Sequence, residues 1–155
     1  MQVVDTTLLD QVTAQARTAP RLRKNHNLHK SDASCCHRLL NAIEPGTYIR
    51  PHRHLDVEKD ETFVCLRGRL GVVTFDEKGE VQESVLLEAC GEKLAADVPH
   101  GTYHTAVSLE PGTIFFEAKA GPYLPLLTDE KGEFAPEEGS PEAAQYLARL
   151  TALFA

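Results

Sequence analysis

The first twenty residues carry apolar side chains at helical spacing. These fall on one face of a helix: Leu8, Leu9, Val12 and Ala16. The spacing predicts this helix over residues 7–19, and Pro20 ends it because proline lacks a backbone N–H donor. The next stretch, residues 20–33, is basic and has no apolar periodicity, so we expect a basic loop there.

From residue 34 onward, short apolar or alternating runs are separated by glycine, proline or acidic turns. This pattern is typical of strands joined by tight turns. It predicts eight strands, over residues 35–43, 47–54, 61–68, 69–76, 81–89, 92–98, 102–109 and 112–119. Closely spaced strands without intervening helices favour an antiparallel sandwich or barrel over a parallel sheet.

The C-terminal extension, residues 120–155, departs from the strand pattern. Residues 121–139 are rich in proline, glycine and acidic side chains, whereas residues 141–154 return to helical spacing. The apolar residues of this second predicted helix lie on or near one stripe: Tyr146, Leu147, Leu150 and Phe154. With a β-barrel over about 34–119, we expect one domain spanning residues 1–155.

The composition is that of a folded domain: 155 residues, 42% of them hydrophobic and 25% charged. No apolar run reaches the length of about 18 residues that a membrane helix needs. The N-terminus carries acidic residues where a secretory signal would be basic and then apolar. We therefore expect a cytoplasmic protein with no membrane partner.

The net charge of −7 argues against a general nucleic-acid binder, because such proteins need a basic surface to displace counterions from phosphate. The charge is unevenly spread, however. Residues 1–55 hold eight Lys or Arg against four Asp or Glu, and the basic side chains concentrate between Arg17 and Lys30. This segment is either a solvated surface or a patch that attracts a small anionic molecule.

The four cysteines do not suggest disulfides or a zinc cluster. Cys35 and Cys36 are adjacent, and Cys65 and Cys90 lie in separate apolar segments with no paired spacing. Structural zinc sites use closely spaced cysteine pairs, so we expect reduced thiols. Cys65 is then a buried core thiol rather than a nucleophile, since no sequence feature marks a base for it.

Alternation along the strand predicted over residues 47–54 places Tyr48, Arg50, His52 and His54 on one face. Two histidines at i and i+2 lie roughly 6–7 Å apart along the backbone, so their rings can converge on one ion. His-x-His is therefore half of a metal site. Ordinary hydrogen-bonded surface histidines are the alternative at this stage.

A carboxylate and a third imidazole follow. Glu61 heads the next strand and shares its face with Phe63 and Cys65, where an ionised carboxylate needs a cation or a donor. Further on, a tight turn around Pro99 and Gly101 leads His104 into another strand. A single metal ion would satisfy all of these groups.

These motifs resemble the two signatures of the cupin superfamily. The first, G-x5-H-x-H-x6-E-x6-G, starts at Gly46, and the second, P-x-G-x2-H, starts at Pro99. The resemblance implies an all-β jelly-roll barrel, also called a double-stranded β-helix, here with a short N-terminal helix and a C-terminal helix. It also implies one divalent metal held by the residues at the motif positions: His52, His54, Glu61 and His104.

One departure from the superfamily pattern concerns the carboxylate. The usual spacing between the second histidine and the glutamate is three or four residues, whereas six lie between His54 and Glu61. The connecting turn is therefore longer, and Glu58 or Asp60 competes for the ligand role. Glu61 is favoured because it directly heads the apolar strand.

A narrower resemblance is to WbuC-type cupins, and it extends from the basic loop to the C-terminal helix. It is carried by the segments Asn25–His29, Pro51–His54, Gly121–Tyr123 and Phe134–Gly139. It implies a homodimer linked to bacterial surface polysaccharide (lipopolysaccharide O-antigen) biosynthesis. It also implies that His29 and Asn27 close over the mouth of the site.

Three imidazoles and one carboxylate suit Fe, Mn, Ni, Co or Zn, and ligand type does not choose among these metals. The residues expected to furnish the substrate pocket are Tyr48, Arg50, Phe63, Cys65 and His29. Arg50 inside a barrel needs an anionic partner, either Glu117 or a carboxylate or phosphate of the substrate. No catalytic residue beyond the metal ligands is singled out.

We expect a metal-dependent enzyme acting on a small anionic carbohydrate, such as an isomerase or epimerase of a phosphorylated or nucleotide-linked sugar. The open metal site and the basic loop support this hypothesis. An Fe(II) dioxygenase would use the same ligands. A non-catalytic cupin that binds a metal or small ligand is the third hypothesis. No serine-hydrolase elbow, phosphate loop or dinucleotide fingerprint is present.

Overall fold

The computed structural model describes residues 1–155 and contains two α-helices and eight strands. The helices are α1 (Thr6–Thr18) and α2 (Pro141–Thr151). The strands are β1 (Arg23–Asn27), β2 (Cys36–Ile43), β3 (Glu61–Arg67), β4 (Arg69–Phe75), β5 (Val81–Glu88), β6 (Ala95–Val98), β7 (Tyr103–Ser108) and β8 (Thr113–Ala120). Neither helix is long and apolar enough to cross a membrane.

The strands form two antiparallel sheets that face each other. The larger sheet has the order β1-β2-β8-β3-β6, and the smaller has the order β5-β4-β7. The apolar core between them is built from alternate residues of both sheets: Ile43, Phe63, Cys65, Leu70, Val72, Leu87, Val98, Ala106 and Phe115. The expected all-β barrel with a helix at each end is confirmed.

Helix α1 covers the outer face of the larger sheet. Asp5 caps its N-terminus, because the Asp5 side chain accepts a hydrogen bond of 2.9 Å from the Leu8 N–H. Val12 and Ala16 are almost completely buried against Leu40 of β2 and its neighbours. The apolar stripe predicted from the sequence is therefore the face that packs.

Helix α2 covers the smaller sheet. Leu150 is buried in a cluster with Val73, Tyr103 and other residues of β4 and β7. Beyond the helix, the Phe154 ring lies over Gly71, where a Cβ atom would come within 2.4 Å of the ring. A side chain at position 71 would therefore displace the Phe154 ring from its place on the sheet.

Two elements predicted from the sequence, a strand over residues 47–54 and a loop over residues 20–33, were wrong. Residues 47–54 do not form a regular strand: only His52 makes ladder bridges, to His104 and to Lys131, and Pro51 has no N–H to donate to a ladder. Conversely, Arg23–Asn27 forms a strand inside the predicted loop of residues 20–33. It pairs with β2 at the sheet edge through backbone hydrogen bonds, which do not require apolar side chains.

Candidate metal centre

The four residues expected to bind metal come from three chain segments that the fold brings together. His52 and His54 lie in the irregular segment before β3, Glu61 begins β3, and His104 lies in β7. Backbone hydrogen bonds in both directions join His52 and His104, at 3.0 and 2.8 Å. The Gly101 N–H donates to the His54 carbonyl at 2.7 Å. The histidine positions are therefore set by backbone pairing.

The side chains converge as a metal site requires. One ligand atom from each of His52, His54 and Glu61 lies within 4.8 Å of the others. His104 lies outside that mutually close group, but its Nε2 is 2.8 Å from Glu61 Oε2. Its ring centroid is 4.7 Å from that of His52 and 6.2 Å from that of His54. The ligand roles of these residues stay a prediction.

Two of the imidazoles are already oriented through their other ring nitrogen. His52 Nδ1 is 3.0 Å from the Arg50 carbonyl, and His104 Nδ1 is 2.9 Å from the Thr102 carbonyl. A neutral His52 that donates Nδ1–H to its carbonyl partner keeps a lone pair on Nε2, the atom that binds a metal, whereas His104 Nε2 carries the proton that it donates to Glu61. Burial and the neighbouring His104 also lower the pKa of His52 to about 3, which keeps it neutral.

His54 provides the observation that tests whether a metal fits. Its Nε2 atom is buried and has no hydrogen-bond partner. That atom lies 3.3 Å from Glu61 Oε2, close enough to share a cation but not oriented for a hydrogen bond. A buried polar atom without a partner is costly, and a divalent ion between the imidazole and the carboxylate would remove this cost. The donor set therefore fits a metal.

Lys119, which the sequence did not suggest, is the counter-ion of the cluster. Its Nζ lies 2.7 Å from Glu61 Oε1 and 2.7 Å from Glu117 Oε1. The other oxygen of Glu117 accepts a hydrogen bond of 2.7 Å from the Asn41 amide. Because Glu117 and Lys119 alternate on β8, both point to the same side of the sheet as Glu61. The sequence signal that could have indicated this pair is an acidic and a basic residue two positions apart near the end of a predicted strand.

Burial and neighbouring charges shift the pKa values of this cluster. Burial alone would raise the pKa of Glu61, but Lys119 and the hydrogen bond from His104 hold it well below its usual value. Burial and the charge of Glu61 raise the pKa of Glu117 to about 7. Burial would lower the pKa of His104, but the hydrogen bond to Glu61 raises it. Glu61 is therefore ionised at neutral pH.

The cluster opens into a cavity of about 410 Å³ between the two sheets. His52, Glu61 and His104 line one part of it, and the Asn41–Glu117–Lys119 network lines another. Opposite them, His29 stacks on His37 with ring centroids 4.0 Å apart. The floor is apolar and includes Phe63. Of the expected pocket residues, His29 and Phe63 therefore reach this cavity, as does Asn27.

Three other expected pocket residues lie elsewhere. The Tyr48 hydroxyl donates to the Pro136 carbonyl at 2.9 Å, and Arg50 pairs with Glu137 instead of Glu117. Both side chains turn towards the C-terminal extension because residues 47–54 lack the strand alternation that would aim them inward. Cys65 is buried in the core between the sheets, two positions further along β3 than Phe63, and does not line the cavity.

The two competing carboxylates of the long turn are also placed away from the cluster. Glu58 is exposed, and Asp60 accepts hydrogen bonds from the backbone N–H of His100 at 2.8 Å and pairs with its ring at 2.9 Å. Both therefore lie outside the group of close ligand atoms, which contains Glu61. Sequence reasoning also missed Lys59 of this turn, which is buried.

The comparison with family models gives one match that covers more than half of the chain. Residues 4–87 match the model described as "Domain of unknown function (DUF6016)". No curated protein matches the chain.

Solved structures show the fold more clearly. KdgF from Halomonas sp. gives a TM-score of 0.53 at 19% identity, over 67% of this chain and 83% of that one. TT1209 from Thermus thermophilus gives 0.54 at 23% identity, over 78% and 98%. A cupin superfamily protein from Desulfitobacterium hafniense gives 0.50 at 15% identity, over 63% and 76%. The fold is therefore a cupin jelly-roll barrel, as the sequence motifs implied.

Proposed function

Because the chain belongs to a family whose function is undefined (DUF6016), we propose a function from the site itself. We propose that the protein is a cupin that binds one divalent metal ion and acts on a small anionic carbohydrate. The metal ligands in this proposal are His52, His54, Glu61 and His104. The reaction class is isomerisation or epimerisation of a phosphorylated or nucleotide-linked sugar.

The observation that carries the proposal is the buried, unpartnered Nε2 of His54 facing Glu61 at 3.3 Å. A bound divalent ion would polarise a carbonyl or hold adjacent hydroxyl oxygens of a sugar. The chain itself supplies an ionised carboxylate in Glu61 and a neutral imidazole in His52, so these two donors need no proton loss before binding, whereas His104 would release the proton that it donates to Glu61.

The cavity wall supports a polar, hydroxyl-bearing ligand. Asn25 and Asn27 of β1 line the same cavity as the metal cluster, and an amide both donates to and accepts from a hydroxyl. His29 and His37 add ring nitrogens on that side. Phe63 supplies an apolar surface for the carbon face of a sugar ring. The WbuC-type resemblance of the sequence supports the link to bacterial surface polysaccharide and a homodimer.

Metal content tests the first half of the proposal. We expect protein purified without chelators to carry about one equivalent of a divalent metal, and His54→Ala and His52→Ala to lose it. His26→Ala is the matched control, because His26 lies on β1 away from the cluster and contacts Gln2. Equal metal content in His54→Ala and His26→Ala would refute the site.

A ligand screen tests the second half. We expect sugar phosphates or nucleotide sugars to raise the melting temperature of the metal-loaded protein, and the screen is repeated with His52→Ala. Oxygen consumption that depends on added Fe(II) would instead identify a dioxygenase. The absence of any shift and of any oxygen consumption would favour a non-catalytic cupin.

A further inference from the structure

The turn that departs from the usual cupin spacing carries a buried lysine. Residues 55–60 connect His54 to Glu61, and the turn is closed by a hydrogen bond from the Lys59 N–H to the Asp56 carbonyl at 2.9 Å. The Asp56 side chain also accepts from the Glu58 N–H at 3.0 Å. Its neighbours in the turn are exposed, but Lys59 folds back and is only 9% exposed.

The ammonium group of Lys59 is poorly satisfied by the protein. It donates one hydrogen bond, to the Pro122 carbonyl at 3.2 Å, and it makes no ion pair. The Glu130 carboxylate accepts from the N–H groups of Leu55 and Leu127, and its charge interacts with Lys59, but the two groups do not form an ion pair. An ammonium has three donors, and a buried charge without a counter-ion is costly. The Lys59 ammonium therefore has donors left for an anionic ligand.

Lys59 lines a second cavity of about 710 Å³ that shares the metal cluster as its inner wall. His52 and His54 both line this cavity, and no acidic side chain does. The lysines and arginines around it are Arg21, Arg23, Lys24, Lys59 and Lys119. Three of these five pair with glutamates, whereas Lys24 and Lys59 have none. Two ammonium groups without an ion pair, one buried and one exposed at the rim, match the charge of a phosphate group, which is close to −2 at neutral pH.

We propose that Lys59 anchors a phosphate subsite next to the His52–His54–Glu61 cluster, with Lys24 at its rim. This proposal rests on the proposed function, because the phosphate would belong to the sugar that the metal holds. The subsite places the anionic group on the His52 and His54 side and leaves the first cavity for the carbohydrate. The long turn then has a function: it carries Lys59 to the metal cluster.

Binding of inorganic phosphate to the full-length protein, treated with a chelator, tests the subsite without any metal. Titration calorimetry is run on the wild type, Lys59→Met and Lys78→Met. Lys78 is the matched control, an exposed and unpaired lysine in the β4–β5 turn that lines neither cavity. We expect Lys59→Met to bind phosphate at least about tenfold more weakly than both other proteins, because it loses a charge-assisted hydrogen bond.

Stability provides a second readout that does not depend on the ligand. Lys59→Met removes a buried unpaired charge, so without phosphate it should melt no lower than the wild type. Phosphate should then raise the melting temperature of the wild type and Lys78→Met more than that of Lys59→Met. Equal phosphate affinity in Lys59→Met and the wild type, or no phosphate binding by the wild type, would overturn the subsite. Metal content in His54→Ala separately decides the metal site.

Discussion

Replacement of Lys119 by methionine tests whether one buried ammonium holds the cluster together. In the wild type this group neutralises Glu61 and Glu117 at 2.7 Å each. Methionine keeps the length and apolar body of the side chain but leaves both carboxylates without their counter-ion. Removing one partner of a buried ion pair costs about 3–5 kcal/mol. For a chain of this size, that cost lowers the melting temperature by roughly 6–20 °C.

The loss should depend on pH, and its direction follows from the pKa values. In the wild type Lys119 helps to hold the pKa of Glu61 low, so the stabilisation is present above the unfolded pKa of about 4.3 and is lost as pH falls through the folded value. Without Lys119, burial dominates: the folded pKa of Glu61 rises from its low value, and that of Glu117, already about 7 in the wild type, rises further. The variant then gains relative stability as pH falls, so the difference should be largest near neutrality.

Urea unfolding of chelator-treated wild type, Lys119→Met and Lys78→Met between pH 7 and pH 4.5 measures this difference. Lys78→Met should follow the wild type throughout, because Lys78 is exposed and makes no ion pair. Added Zn²⁺ or Mn²⁺ should restore part of the lost stability, since the cation replaces the missing positive charge. A loss below about 1 kcal/mol at pH 7, or a loss that does not shrink on acidification, would refute the reasoning.

Two further predictions concern the cavity and the C-terminal extension. Phe63→Ala should lower the free energy of unfolding by about 3–5 kcal/mol in urea titration and also weaken metal binding, because Phe63 packs on both Phe115 and His104. A loss near 1 kcal/mol would show that the core collapses around the gap. Arg50→Met should keep its full metal content by elemental analysis, because the Arg50 side chain pairs with exposed Glu137 and only its backbone carbonyl meets His52. Loss of metal in that variant would show that the Arg50 side chain contributes to the metal site.

Much of the architecture follows from patterns that the sequence shows directly. Alternation within β3 predicted that Glu61, Phe63 and Cys65 share one inward face, because that face of the strand is buried against the other sheet. The cupin motifs brought together His52, His54, Glu61 and His104 although 43 residues separate the last two. The His-x-His spacing alone predicted only His52 and His54 as members of that group.

The placement of the other side chains of the site depends on tertiary contacts that no local sequence pattern shows. Tyr48 and Arg50 were expected inside because a strand was assumed, but Pro51 and the C-terminal extension hold the segment in another conformation. Lys119 and Lys59 were missed because a charge at a strand end or in an acidic turn is usually solvated. Their importance appears only when the burial and the partner atoms of each ammonium are known.

The reciprocal backbone pair between His52 and His104 links two positions that are far apart in the chain. The proposed metal ligands therefore do not exist as a group until the barrel has closed, and an unfolded chain would bind an ion only weakly. An ion that binds only the closed barrel stabilises the folded state by mass action. Dissociation of the ion is coupled to local opening of the His52–His104 backbone pair. Metal supply would then control how long the folded protein survives proteolysis, as well as its chemistry.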